Sequence, residues 1–293
     1  MCVSRCSATR AALAGVALAL LLSLPTTAGA SPESARIVSL SPALTEMLFA
    51  IGAADRVVGV TTFCTYPAEA EALPKIGGFS ERSISLEAIV ALSPTIVIGQ
   101  ASAHESIAAS LESARIRTVL FEAGGFEQVI ANVELLGGVV GRADGAASVV
   151  RDIRERAERI TSTVSGIPED RRVRVFWETW DDPLMTAGPN TFTGDVIRLA
   201  GGVNIFADVE QDWPVVSHEE VLRRNPEAIL ASVTHDEKLT PELLAERPGW
   251  SDIAAVREQR IHLFDGDIVS RPGPRVIDAL ELMAAALYPD LFR

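Results

Sequence analysis

Carboxylates, imidazoles and aromatic rings are the groups through which this 293-residue chain could do chemistry, and their spacing narrows the choice. Asp181-Asp182 and Asp265-Gly266-Asp267 each bring two carboxylates close enough for a general acid and base. Short acidic runs in turns are ordinarily solvated turn formers, so a secreted hydrolase using Asp181 or Asp267 is a remote alternative. His104, His218, His235 and His262 have no spacing that sets two on one helix face, and no cysteine pair lies nearby. A zinc site built by the protein is therefore not expected. There is no Gly-x-Ser-x-Gly elbow, since the stretch around Ser80 lacks the second glycine, and no phosphate-binding or dinucleotide glycine fingerprint. No catalytic residue and no intrinsic cofactor are expected.

Five aromatic residues stand on irregular stretches instead of periodic faces: Phe63, Tyr66 and Phe79 in the first half, Trp180 and Trp213 in the second. Each follows a strand or precedes a helix, and loops at strand carboxyl ends are where open α/β sheets bind ligands. Two such mouths facing each other would form a cleft; alternatively, some rings only staple their own loops. A second signal is an internal repeat. SLEAIVALSPTIVI from Ser85 and SHEEVLRRNPEAIL from Ser217 both read serine, any residue, glutamate, an apolar pair, then proline nine positions after the serine. Glu87 and Glu219 fall in the first helical turn, where a carboxylate favours the dipole; spacing alone leaves that role level with one in partner binding.

The elements that would position these residues centre on Ala143 to Val164. Ala146, Val149, Val150, Ile153, Ala157, Ile160 and Val164 recur every three or four positions, one apolar stripe on a helix. On the other face Asp152 and Arg156, and Glu155 and Arg159, are four apart in the favourable order. Twenty-two residues span about 33 Å, the width of a small domain, and Gly166 and Pro168 end the helix. It reads as a strut between two lobes and carries too few heptads for a dimeric coiled coil, so a monomer is expected.

Strand and helix alternate on both sides of the strut, which predicts α/β lobes with mainly parallel sheets. Before it come strands at RIVSL, RVVGV, TIVIG and RTVLF, with Ser41-Pro42 as a capping serine and first-turn proline and a helix near Glu105 to Ala114. After it come RVRVFWETW, a turn at Asp181-Asp182-Pro183, a helix near Thr191 to Ala200, the strands EAILAS and RIHLF, and a terminal helix from Pro274 to Leu287. GGVNIFADVEQDWPVV and DGDIVSRPG read as loops. The expected domains are a signal peptide at 1–30, an N-terminal lobe at 31–141, the backbone helix at 142–167 and a C-terminal lobe at 168–293.

Arg5 and Arg10 before the apolar run Ala11 to Leu24, then Pro25 and Ala28-Gly29-Ala30, have the pattern of a secretory leader cleaved after Ala30. The run is too short to span a membrane, and no cysteine follows it to carry a lipid. Its loss leaves 24 basic against 39 acidic residues, a net charge of −15. Nucleic acid is not an expected partner, because no basic run offsets that field. Cys2 and Cys6 leave with the leader, so lone Cys64 reads as a small buried residue and the two lobes must hold by separate cores.

RIVSLSPALTEMLFAIG, VVGVTTFCTYP, LEAIVALSPTIVI, WPVVSHEEVL and SRPGPR, in that order, resemble the periplasmic substrate-binding proteins of ABC importers of the helical-backbone type, nearest the cobalamin branch. The resemblance covers almost the whole mature chain. It implies two doubly wound α/β lobes joined by one long helix, with cobalamin, or alternatively a ferric siderophore or heme, carried as a transported ligand in the cleft. It also implies periplasmic location and a partner complex of permease and ATPase in the inner membrane. By position it implies that Phe63 or Tyr66, Phe79 (where the cobalamin branch has tryptophan) and Trp213 pack on the ligand, that Asp267 and Arg271 orient it, and that Glu87 and Glu219 dock the permease. Heme-binding relatives carry tyrosine where this chain has Phe79, which leaves Tyr66 as the phenol for a heme.

Overall fold

The computed structural model describes residues 35–233 and 239–292; the leader at 1–30 and His235 lie outside them. The N-terminal lobe runs β1 (Ile37–Ser39), α1 (Pro42–Ala50), β2 (Val57–Val60), α2 (Leu86–Ala91), β3 (Ile96–Gln100), α3 (Ala101–Ser113), β4 (Arg117–Phe121) and α4 (Phe126–Val140). Its four strands pair in parallel in the order β2-β1-β3-β4. Ile37, Val38, Val97 and Ile98 are fully buried, the continuous apolar run of strands covered on both faces.

Two expectations in this lobe are corrected. Ser41 holds the N-cap position before Pro42, but its side chain makes no cap bond; its carbonyl accepts from Thr45 N–H at 3.0 Å. The helix expected near Glu105 does run on from there, but a further turn from Ala101 precedes it straight off β3, set apart by His104, which leaves the helical region with φ −132° and ψ 18°.

α5 (Ala143–Ser165) leads into β5 (Arg174–Glu178), the ribbon β6 (Trp180–Asp181) and β7 (Leu184–Met185), α6 (Phe192–Leu199), β8 (Val203–Asn204), α7 (His218–Arg224), β9 (Ala228–Val233), α8 (Pro241–Ala245), α9 (Ala254–Arg257), β10 (Ile261–Asp265), α10 (Gly266–Val269) and α11 (Val276–Leu287). The C-terminal sheet is again parallel, in the order β10-β9-β5-β8. β8 lies in a stretch expected to be loop: two residues pairing at a sheet edge are too short to show alternation. α10, also inside an expected loop, is one turn capped by the Asp265 side chain, which accepts from Asp267 N–H at 2.9 Å.

α5 is the strut. Six of its seven expected stripe residues are buried, Val149 being half-buried, and they pack against α4 and α11. Gly145 is required there, since a Cβ would lie 2.2 Å from the Ile51 carbonyl oxygen at the end of α1. The polar face is used as well as solvated. Arg154 pairs with Glu127 of α4 at 2.8 Å, and Arg156 reaches Asp278 and Glu281 of α11, both at 2.6 Å, with the expected Asp152 partner farther off at 3.5 Å. The expectation of separate cores is also corrected. One buried cluster runs from Leu48 and Ile51 through the strut to Ile197 and Leu280, and smaller clusters fill the outer faces of each sheet. A stripe that points into both lobes makes their cores continuous.

Candidate functional site

The strand carboxyl ends of the two sheets open onto a trough of three joined compartments. The first, about 390 Å³, is lined by Ser41, Pro42, Phe63, Phe79 and Gln100 of the N-terminal lobe and by Ser270, Arg271 and Pro272. The second, about 280 Å³, shares Ser270 and Pro272 and adds Trp213, Trp177 and Phe192 opposite Ala123 and Gly124. The third, about 410 Å³, shares Thr179 and Ser232 and ends at Trp180, Asp181, Glu178 and Arg247. Phe63, Phe79, Trp213 and Trp180 thus fall along one surface contributed by both lobes. Phe63 is 55%, Trp180 52% and Trp213 46% exposed, which is unusual for rings of this size unless something covers them.

Tyr66 does not join them. It lines a separate cavity of about 620 Å³ with Phe49, Leu73 and Ile277 behind the trough, where the Arg275 guanidinium lies 4.2 Å from its ring centre. Cys64 is buried beside the Thr45 and Thr61 hydroxyls, each 3.2 Å from its sulfur, in keeping with a small core residue.

Phe79 is held by devices that its sequence neighbourhood does not display. Gly77 has φ +114° and a Cβ there would sit 2.1 Å from Ser83 O, so the loop can fold back on itself only with glycine. The fully buried His104 then accepts from Gln100 N–H at Nδ1 (2.9 Å), and its Nε2 faces the Phe79 carbonyl at 2.9 Å. A backbone donor at Nδ1 fixes the neutral tautomer with the proton on Nε2. Its ring also meets the Phe79 ring edge-on at 5.1 Å. Burial pushes the imidazole below its ordinary value, so it stays neutral. Glu81 braces the same loop by accepting from Ser106 N–H at 2.7 Å and from the Ser106 hydroxyl, which holds its carboxyl below the usual range.

Asp267 and Arg271 pair with each other, 2.5 Å apart, and belong to a larger knot across the lobe seam. Glu46 of α1, 2% exposed, accepts from Arg275 at Nε and at one terminal nitrogen, both 2.7 Å, and from Arg271 at 3.3 Å. Arg271 also donates to the Phe63 carbonyl at 3.3 Å, Arg275 to the Asp267 carbonyl at 2.9 Å, and Thr65 to the Asp267 carboxylate at 3.3 Å. At another point of the seam Asp195 of α6 caps α4, accepting from Phe126 N–H at 2.9 Å. At the far end of the trough, buried Glu178 and Arg247 form two bonds of 2.6 and 2.8 Å; burial raises the Glu178 carboxyl and the arginine opposes that.

Sequence reasoning missed Glu46, His104 and Glu178. A signal existed for two: Glu46 interrupts the largely apolar run ALTEMLF, and Glu178 follows directly on the apolar run Val175-Phe176-Trp177, whereas His104 offered none. Glu87 and Glu219 belong to different lobes, both exposed, at the second position of α2 and α7. Their N-cap serines behave identically: Ser85 accepts from Ala88 N–H at 3.1 Å and Ser217 from Glu220 N–H at 3.2 Å.

Residues 37–267 match the family model described as periplasmic binding protein. The chain belongs to that family. This periplasmic binding protein is 31% identical over 266 residues, 89% of its length and 82% of the relative's, to an ABC transporter substrate-binding lipoprotein of Bacillus subtilis. It is 30% identical over 271 residues to a vitamin B12-binding protein of Salmonella typhimurium, covering 92% of this chain and 95% of the relative. Among solved structures it resembles a periplasmic heme-binding protein of Roseiflexus sp. RS-1 in apo form, with TM-score 0.77 and 27% identity over 87% of this chain and 98% of that one. The fold is the two-lobed α/β architecture of these binding proteins, and the relatives are named for binding and transport.

Proposed function

We propose that this binding protein captures a cobalamin-type corrinoid in the trough between its lobes and delivers it to the permease of an ABC importer. The observation that supports this ligand is the chemistry of the lining. Rings project from Phe63, Phe79, Trp213 and Trp180, the arginines Arg271 and Arg247 are already paired with carboxylates, and the described lining residues include no histidine, tyrosine or cysteine. A corrin brings its cobalt fully held in its own ring, offers apolar faces, and carries neutral amides that need hydrogen bonds, not a counter-charge. A heme ordinarily takes an axial ligand from the protein, and an anionic ferric chelate wants an unpaired cation. The vitamin B12-binding relative supports the same choice, while the heme-binding likeness supplies the competing reading of a heme or ferric-siderophore receptor.

Under this reading the leader at 1–30 directs the chain to the periplasm, the metal chelate is cargo and no resident cofactor or catalysis is involved. Glu87 and Glu219 meet the permease, one from each lobe rim. The test is to mix the chain starting at Ser31 with equal concentrations of cyanocobalamin, ferric enterobactin and hemin and record native mass and absorption. A one-to-one complex with intact cyanocobalamin is expected. A complex with hemin or ferric enterobactin and none with the corrinoid would overturn the ligand, and a hydrolysed ligand would overturn the receptor.

A further inference from the structure

We infer that Glu46 sets which ligand charge the cleft accepts, by cancelling Arg271 on its wall together with Arg275 beside it. This rests on the reading that the trough holds a metal chelate, and it concerns a residue outside the trough itself. Glu46 is a carboxylate on a helix whose buried neighbours Leu44, Met47 and Leu48 are apolar and whose one other buried polar residue, Thr45, bonds within its own lobe to Ser39 and Ser41. Burying it has no rationale in α1 alone. All its strong bonds cross the seam, to Arg275 at 2.7 Å twice and to Arg271 at 3.3 Å. Asp267 supplies the second acid, 2.5 Å from Arg271. Two carboxylates and two guanidiniums make a knot of no net charge, and of its members Arg271 alone lines the trough.

A lone arginine at that wall would recruit anions, since guanidinium binds carboxylates in fork geometry. Held as it is, Arg271 can donate hydrogen bonds to a neutral carbonyl while the knot offers an anion no attraction. The far end repeats the device: Arg247 faces the third compartment but is committed to Glu178 at 2.6 and 2.8 Å. Glu46 is thus a specificity-determining residue that acts through Arg271 and never touches ligand.

A purely structural role would tie the lobes together without regard to ligand charge, so the readout is a ratio. Cyanocobalamin and the monocarboxylate made by hydrolysing one of its side amides share a shape and differ by one negative charge. The wild type should prefer the amide. Glu46→Gln leaves the knot at +1 and should shift the amide-to-acid affinity ratio about tenfold toward the acid, the size of one charge acting over ~10 Å at an effective dielectric near 20. Arg275→Gln leaves it at −1 and should shift the ratio the other way, and the double variant should restore it. High salt should shrink both shifts. Should Glu46→Gln fail to fold, Arg275→Gln and the double variant carry the same comparison. Shifts of one sign in both single variants, or an unchanged ratio, would overturn the inference, as would a wild-type preference for the acid. If the wild type binds neither corrinoid, the ligand reading fails by itself, and hemin with its dimethyl ester becomes the matched pair, with the ester preferred by the wild type. Binding of neither pair would overturn both.

Discussion

Trp213 is the ring whose removal should speak most directly about the ligand, because it is half-exposed on the C-terminal wall and no core depends on it. Trp213→Ala should weaken corrinoid binding by roughly ten- to a hundred-fold, the loss of one well-covered aromatic contact. The melting temperature should stay within about a degree of the wild type, since surface substitutions seldom move stability far. Titration calorimetry and a thermal melt check both halves. His104 makes a prediction about pH. Its imidazole is neutral and below its ordinary value of 6.5 in the folded chain, so the unfolded chain binds the extra proton as pH falls. Stability should therefore be level above about pH 6.5 and decline below it, and His104→Gln should flatten part of that decline. His262, which burial and the Arg260 charge also lower, adds to the decline. Melting curves between pH 8 and 5 show this, and a His104→Gln protein with the full wild-type slope would remove the residue from the account. The aromatic set was legible because large rings on irregular stretches have few other uses. Glu46 showed only as a break in an apolar run and its role was not legible, for its partner Arg275 lies 229 residues away and only the folded seam brings them together.

At the scale of elements, α2 and α7 were read correctly as copies, because Ser-x-Glu followed by an apolar pair and proline is a local pattern that local physics obeys. The copies leave two roles for Glu87 and Glu219. Ser85 donates to the Glu87 carboxylate at 3.1 Å, and Glu219 is held below the usual carboxylate range by its own backbone N–H and by Ser217. A helix-start role is therefore real at both sites. If that were everything, glutamine at either position would cost little stability and nothing in transport. Under the docking proposal, lysine at both should leave ligand affinity and melting nearly unchanged yet abolish the stimulation of permease ATP hydrolysis by the loaded receptor, because a lysine set against a basic pocket repels it, and like charges facing each other at a contact cost several kcal/mol. Normal stimulation by the double variant would return both residues to helix capping. What local pattern could not give was β8, whose two residues pair only because β5 lies beside them, or the extra turn of α3 ahead of the kink at His104.

Over the whole molecule, the strut was legible from its stripe, but the stripe alone could not say that it serves both lobes at once. The continuous core, the Glu46 knot and the Asp195 cap on α4 fasten the lobes along the seam, with no glycine-rich crossing strands among the described residues to act as a hinge. Ligand binding should thus leave the radius of gyration from small-angle scattering almost unchanged, and a large contraction would mean that the seam opens. A preformed trough with aromatic walls and paired arginines is the centre of this account, and it commits the protein to one ligand per chain with little rearrangement. The most direct measurement is an equilibrium titration of cyanocobalamin into the chain starting at Ser31. Saturable one-to-one binding, weakened in Trp213→Ala and insensitive to salt, is the predicted result. No saturable binding of the corrinoid, or binding that Trp213→Ala leaves intact, would contradict it.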